Sequence, residues 1–97
     1  MPNPALMVVK FGGSCLTGPE KVRVAAEKVA AEQRKGKKIV VVVSALTGVT
    51  DSLLQTALTA SDGRISREQL DEILSMGERT SQRIFTSILQ SMGVKAV

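Results

Sequence analysis

Hydrophobic positions along the chain switch between two periods. From Ala5 to Phe11 they run almost without a break, interrupted only by Lys10. Such a run reads as a strand buried on both faces, and so as part of a parallel sheet covered by helices. Gly12 and Gly13 follow and end it with backbone that can adopt positive φ. From Val22 the period becomes helical: Val22, Ala25, Ala26, Val29 and Ala30 make one narrow apolar face. Thr17 and Glu20 form a capping box before it, Pro19 suits the first turn, and Gly36 is the stop signal. Ile39 to Val43 is again continuous and β-branched, the second strand of a βαβ unit with a right-handed crossover.

The helical period then returns twice. Thr50-Asp51 opens a helix with Leu53, Leu54, Ala57 and Leu58 on one face, and Ser61-Asp62-Gly63 closes it. A second capping box, Ser66 with Gln69, starts a long helix. Its stripe is Leu70, Ile73, Leu74, Gly77, Ser81, Ile84, Phe85, Ile88, Leu89 and Met92, and Gly93 is its stop. Val94 to Val97 reads as the start of a third strand. Met1 to Pro4, with two prolines, reads as a frayed lead-in. The fold class is therefore α/β: three strands, only two of them complete, in a mainly parallel sheet carrying helices.

Parallel pairing brings two loops to one sheet edge. One is the Gly12-Gly13 turn after the first strand; the other is Ser44 to Thr50 after the second. Ligands of open α/β sheets bind at that edge. A buried strand that delivers one lysine and glycine-flanked amides to a turn suits a phosphate. Gly77 stands on the apolar face of the long helix, where close packing, a bend or a nearby ligand would explain it. Glu78 beside it has a plain reading as a surface ion pair with Arg79 or a neighbour, which contributes little.

Composition narrows the chemistry. The 97 residues make at most one compact unit, 43% apolar and 23% charged. With two Phe and no Trp or Tyr, the core must come from aliphatic residues, and base-stacking modules are disfavoured. Absence of His excludes imidazole catalysis, and one Cys allows neither an internal disulfide nor a CxxC zinc knuckle. The net charge of +4 is concentrated at Arg34, Lys35, Lys37 and Lys38. That cluster reads as a solvated helix C-terminus, with a contact for an anionic partner as the alternative. No signal pattern or long apolar segment is seen, so a cytoplasmic protein without membrane or nucleic-acid partners is expected.

Neither GxxxxGK[ST] nor GxGxxG occurs. Three other blocks do: Lys10-Phe11-Gly12-Gly13-Ser14, then Val42-Val43-Ser44-Ala45 through Gly48-Val49-Thr50-Asp51, then Ser75-Met76-Gly77-Glu78-Arg79. In order and approximate spacing they resemble the KFGG[ST], VVSAxxGxTD and SxGER blocks of the amino-acid kinase family, and within it the N-terminal part of the aspartokinases. The resemblance covers essentially the whole chain. It implies the N-terminal part of a three-layer α/β/α sandwich, incomplete here, with residues 1–97 as a portion of the kinase domain. It also implies ATP-dependent phosphorylation, with Mg2+, of the β-carboxylate of L-aspartate, the first step toward lysine, threonine and methionine.

By the same carry-over Lys10 is the catalytic lysine that neutralises the ATP phosphates, Gly12 and Gly13 admit backbone amides, and Ser14 adds a donor. Ser44, Ala45 and Thr50 line the aspartate pocket, and Glu78 pairs with the substrate α-ammonium. No metal ligand is assigned. Cys15 departs from the usual small residue and reads as a packed side chain, with a reactive thiol as the lesser reading. Met76 replaces the usual Thr and reads as a space filler. Relatives of the family are more than twice as long, so the chain is expected to be a fragment, an expressed piece or a truncated reading frame, inactive alone. Its partners would be the remainder of the kinase domain and further copies of itself through uncovered apolar surface. The alternatives are another family member acting on glutamate, acetylated glutamate or a nucleotide monophosphate, a non-catalytic assembly module, and a generic nucleotide-binding βαβ protein.

Overall fold

A computed structural model describes residues 5–46 and 48–97. The proposed lead-in at 1–4 and Thr47 of the second loop lie outside them. Strand β1 is Leu6–Phe11, a 3-10 turn spans Gly13–Cys15, and helix α1 is Pro19–Arg34. Strand β2 is Lys38–Val43, followed by helices α2, Val49–Ala60, and α3, Arg67–Ser91. The strands pair in parallel from Leu6↔Lys38 to Phe11↔Val43. Ser44 N–H extends the ladder to the Phe11 carbonyl at 3.3 Å. The two predicted loops therefore leave the sheet side by side.

The core lies on one face of this sheet. Phe11 meets Phe85 of α3 with ring centroids 5.6 Å apart. Around them pack Leu16, Leu89, Val94 and the α1 face Val22, Ala25, Ala26, Val29 and Ala30. Every α1 position read from the helical period is buried. The strands differ from expectation. Both alternate instead of being buried on both faces. Leu6 (68% exposed), Val8 (66%), Val40 (49%) and Val42 (45%) look outward onto a face that no described element covers. The sandwich is present as two layers, because all the helices of this chain that reach the sheet pack on the same side.

Helix ends explain the remaining differences. At α1 the N-cap is Gly18, extended and without a side-chain bond. Pro19 then occupies the first turn, which leaves Thr17 one residue too early to cap, so that capping box does not form. At α3 the Ser66 hydroxyl accepts from the Gln69 amide at 3.2 Å, as read. Helix α2 begins at Val49, one residue before the predicted start, behind Gly48 at φ 88°. It closes on a Schellman turn: Gly63 N–H donates to Leu58 O at 2.8 Å and Asp62 N–H to Thr59 O at 3.2 Å. Asp62 takes the left-handed conformation there, at φ 57°.

The same motif removes the predicted third strand. Gly93 at φ 82° donates to Gln90 O, and Val94 N–H to Leu89 O at 3.1 Å. The tail is bound back onto its own helix, and the Gln90 amide donates to Ala96 O at 2.9 Å. Val94 is buried as the apolar contact that accompanies this cap. Among the described residues the sheet has two strands.

The outline is long. The radius of gyration is 16.3 Å and the extents are 60 × 26 × 19 Å, against about 13 Å for a compact 100-residue domain. Helix α3, 25 residues, accounts for roughly 37 Å. Helix α2 packs chiefly on α3, and only Thr50 within it is buried. Leu53, Leu58, Leu74 and Met76 of this helical pair are exposed, so Met76 fills no space within the chain. No described helix is long and apolar enough to cross a membrane.

Candidate active site

The carboxyl ends of β1 and β2 carry the first two blocks. Lys10 is opposite Val42 in the register and shares the outward face with it. It has no ion-pair partner among the described residues. The 3-10 turn that follows uses the amides of Cys15 and Leu16, which donate to Gly12 O and Gly13 O at 3.0 Å. Ser14 in the middle of it is exposed, and its hydroxyl has no partner among the described residues. Positive φ plays no part in this turn: Gly12 has φ −85°, and neither it nor Gly13 is left-handed. A Cβ on Gly12 would meet nothing within 4 Å. Glycine there satisfies no requirement of the chain itself and leaves the backbone open to an approaching group. Cys15 is exposed instead of packed, and Leu16 beside it takes the buried position.

The third block docks on the second. Gly77 is buried where α3 crosses the start of α2. A Cβ built on it would overlap the Thr50 hydroxyl oxygen and lie 3.3 Å from Ala45 Cβ. Close packing, among the explanations open from the sequence, is the one realised. It outweighs the roughly 1 kcal/mol by which alanine would favour the helix. The Thr50 hydroxyl is buried and has no hydrogen-bond partner among the described residues; neither has that of Ser81, one turn along α3 from Gly77. Buried hydroxyls normally find partners, so this joint is unusual.

Glu78 follows Gly77 and is exposed. Its expected ion pair with Arg79 does not form, because Arg79 turns to Glu72 at 3.9 Å. Glu78 is left without a counter-ion among the described residues. It lines a cleft of about 270 Å³ with Ser75, Arg79, Gln82 and the end of β2, Val41 to Val43. Lys10 is outside that cleft, one strand away across Val42. Of the expected site residues, then, Lys10, Gly12, Gly13 and Ser14 follow one another through the end of β1 and its turn. Ala45 and Thr50 lie under Gly77, Ser44 joins the two strands, and Glu78 stands on the far side of β2.

The basic cluster is a helix C-terminus. Glu32 accepts from Lys37 at 2.6 Å and Lys35 at 3.2 Å, and the Lys37 bond, then the Lys35 bond, holds its carboxyl below the usual range. Arg34 donates to Met92 O at 3.4 Å. Arg34, Lys35 and Lys37 are used within the fold, which favours the solvated-terminus reading. No described group of three His, Cys, Asp or Glu is placed to hold a metal.

The amino acid kinase family profile matches residues 5–97. The chain belongs to the amino acid kinase family. Among its relatives, the aspartokinase of Corynebacterium glutamicum is 38% identical over 92 residues, which cover 95% of this chain and 22% of that protein. Aspartokinase 2 of Bacillus subtilis is 39% identical over the same shares. The aspartate kinase of Pseudomonas putida is 40% identical over 93 residues, 96% of this chain and 22% of that one. A crystal structure of aspartate kinase from Synechocystis superposes with a TM-score of 0.86 at 33% identity, over 96% of this chain and 16% of the other. The chain thus spans about a fifth of the length of these kinases. The α/β fold with its parallel strands is this family's fold in part. The uncovered sheet face agrees with that.

Proposed function

We propose that this chain supplies part of the active site of an ATP-dependent aspartate kinase. The observation that carries the reading is the convergence of all three blocks at one end of the sheet. The parallel register sets Lys10 to Ser14 beside Ser44, and Gly77 fixes the helix bearing Glu78 onto Ala45 and Thr50. The similarity to aspartokinases supports the substrate.

In the proposed reaction a β-carboxylate oxygen of aspartate attacks the γ-phosphorus of ATP, the bond to the β,γ-bridging oxygen breaks, and ADP leaves. Such a transfer depends on positioning and charge neutralisation. Lys10, unpaired, supplies positive charge at the phosphates. The open space at Gly12 and the exposed Ser14 fit an anion. The described residues offer no carboxylate cage, so Mg2+ would arrive with the nucleotide phosphates, its usual mode. Ser44, Ala45 and Thr50 would line the aspartate side. Glu78, lacking a counter-ion, would receive the α-ammonium. That unpaired carboxylate favours a substrate with a free amine over an acetylated glutamate or a nucleotide monophosphate.

In this reading the protein is a cytoplasmic enzyme of amino-acid biosynthesis, and the other wall of the site comes from the remainder of the kinase domain. The test is acyl phosphate trapped as hydroxamate in the presence of ATP, Mg2+ and aspartate. The chain alone should give none. Addition of the remaining kinase segment should give turnover, and Lys10→Ala should lower it at least a hundredfold. Turnover unaffected by Lys10→Ala would refute the assignment of the turn. Binding of ATP with no effect of aspartate would instead favour a generic nucleotide-binding protein. Tight assembly with the remaining segment without turnover would favour a non-catalytic module.

A further inference from the structure

We infer that Gly77 is a positioning residue that sets the aspartate-side loop by holding Thr50 and Ala45 at once; this rests on the reading of that loop given above. Three observations carry it. Gly77 is buried inside α3, where glycine is a poor helix former, so its place needs a local cause. A Cβ there would overlap the Thr50 hydroxyl and crowd Ala45 at 3.3 Å, so even alanine would displace both residues. The displaced hydroxyl is itself exceptional: Thr50 is nine-tenths buried and its oxygen has no partner among the described residues. A hydroxyl kept unpaired at that depth is available to a ligand only if its surroundings hold it in place. The surface of Gly77 is what it rests on. Glu78 follows directly on the same helix, so the contact also fixes the spacing between the loop and the carboxylate.

The consequence is selective. The atoms nearest a Cβ at Gly77 belong to Thr50 and Ala45, in the loop assigned to aspartate, and none of them to the turn assigned to phosphate. Gly77→Ala should therefore raise the KM for aspartate at least tenfold and leave the KM for ATP within twofold, measured in the kinase reassembled from this chain and its remaining segment. The effect should run through Thr50. In a Thr50→Ala background, where the overlap with the hydroxyl is gone and only the 3.3 Å approach to Ala45 remains, Gly77→Ala should raise the aspartate KM by less than threefold. A change in both KM values together, or a full tenfold effect in the Thr50→Ala background, overturns the inference. If Gly77→Ala alone fails to fold, comparison of Thr50→Ala with the double variant, which lacks the clash, still decides.

A second readout needs no turnover. In the 97-residue chain, methyl NMR signals of Ala45 and Thr50 should shift on Gly77→Ala, and the Ala45 signal should move part of the way back in the double variant. Unmoved Ala45 and Thr50 signals refute the positioning role. Shifted signals with no turnover in the reassembled wild type would instead leave the positioning role standing and overturn the reading of function.

Discussion

At the scale of single residues, Ser81 offers a test of the joint on α3 that is independent of catalysis. It is 2% exposed and its hydroxyl has no partner among the described residues. A buried hydroxyl without a partner has lost its hydrogen bonds to water and gained nothing in return. Ser81→Ala removes that cost and adds helix propensity. It should stabilise the chain by about 1 kcal/mol, read as a higher urea midpoint at unchanged slope. A lower midpoint would mean that the hydroxyl is paired in solution. The residues of this joint also mark how far a sequence can be read. Gly77, Glu78 and Thr50 each stand out in it, from helix propensity or from the resemblance. The contact between Gly77 and Thr50 is invisible there, because it depends on how two helices cross, and no local pattern encodes that. Ser81 was legible only as one member of an apolar stripe. Its orphaned hydroxyl emerges when the helix is docked.

At the scale of elements, legibility follows how local the deciding interaction is. Helix α1 was fully legible because five small or β-branched residues at helical spacing define its face without reference to anything else. Capping was legible in type but not in register. Thr17 and Ser66 have the same signature, a hydroxyl followed three residues later by Glu or Gln. Only Ser66 caps, because Pro19 draws the start of α1 onto Gly18. The two sites should respond differently to the same change. Ser66→Ala should destabilise by about 1 kcal/mol, and Thr17→Ala should leave the thermal midpoint within error. An equal loss at both would mean that Thr17 caps after all. The C-terminal tail shows the opposite failure. Val94 to Val97 has strand propensity, but β-propensity only counts where a neighbouring strand is in place. The Schellman turn at Gly93 offers Val94 a bond and a buried position at once, and it prevails.

At the scale of the whole molecule, the run of apolar residues in each strand reads as burial on both faces, and the described residues supply one of them. An apolar run states that two layers are needed; it does not state which polypeptide supplies them. Leu6, Val8, Val40 and Val42 form an apolar sheet face that no described element covers. Contiguous exposed apolar surface of this kind, on a sheet whose two strands are both edges, drives association. The isolated chain should therefore self-associate, with a weight-average mass by light scattering that rises with concentration. Val8→Thr with Val40→Thr keeps β-branched shapes on the strands while making that face polar, and should shift the onset of association to higher concentration. If the same face receives the remaining kinase segment, that segment and a second copy compete for it. Adding the segment should then convert the self-associated species into a complex containing both. A mass that stays monomeric across the range would show that the outward face is masked in solution. Self-association that persists with the segment bound would instead place it on another surface, with the exposed Leu53 and Leu74 of the α2 and α3 pair the next to be altered.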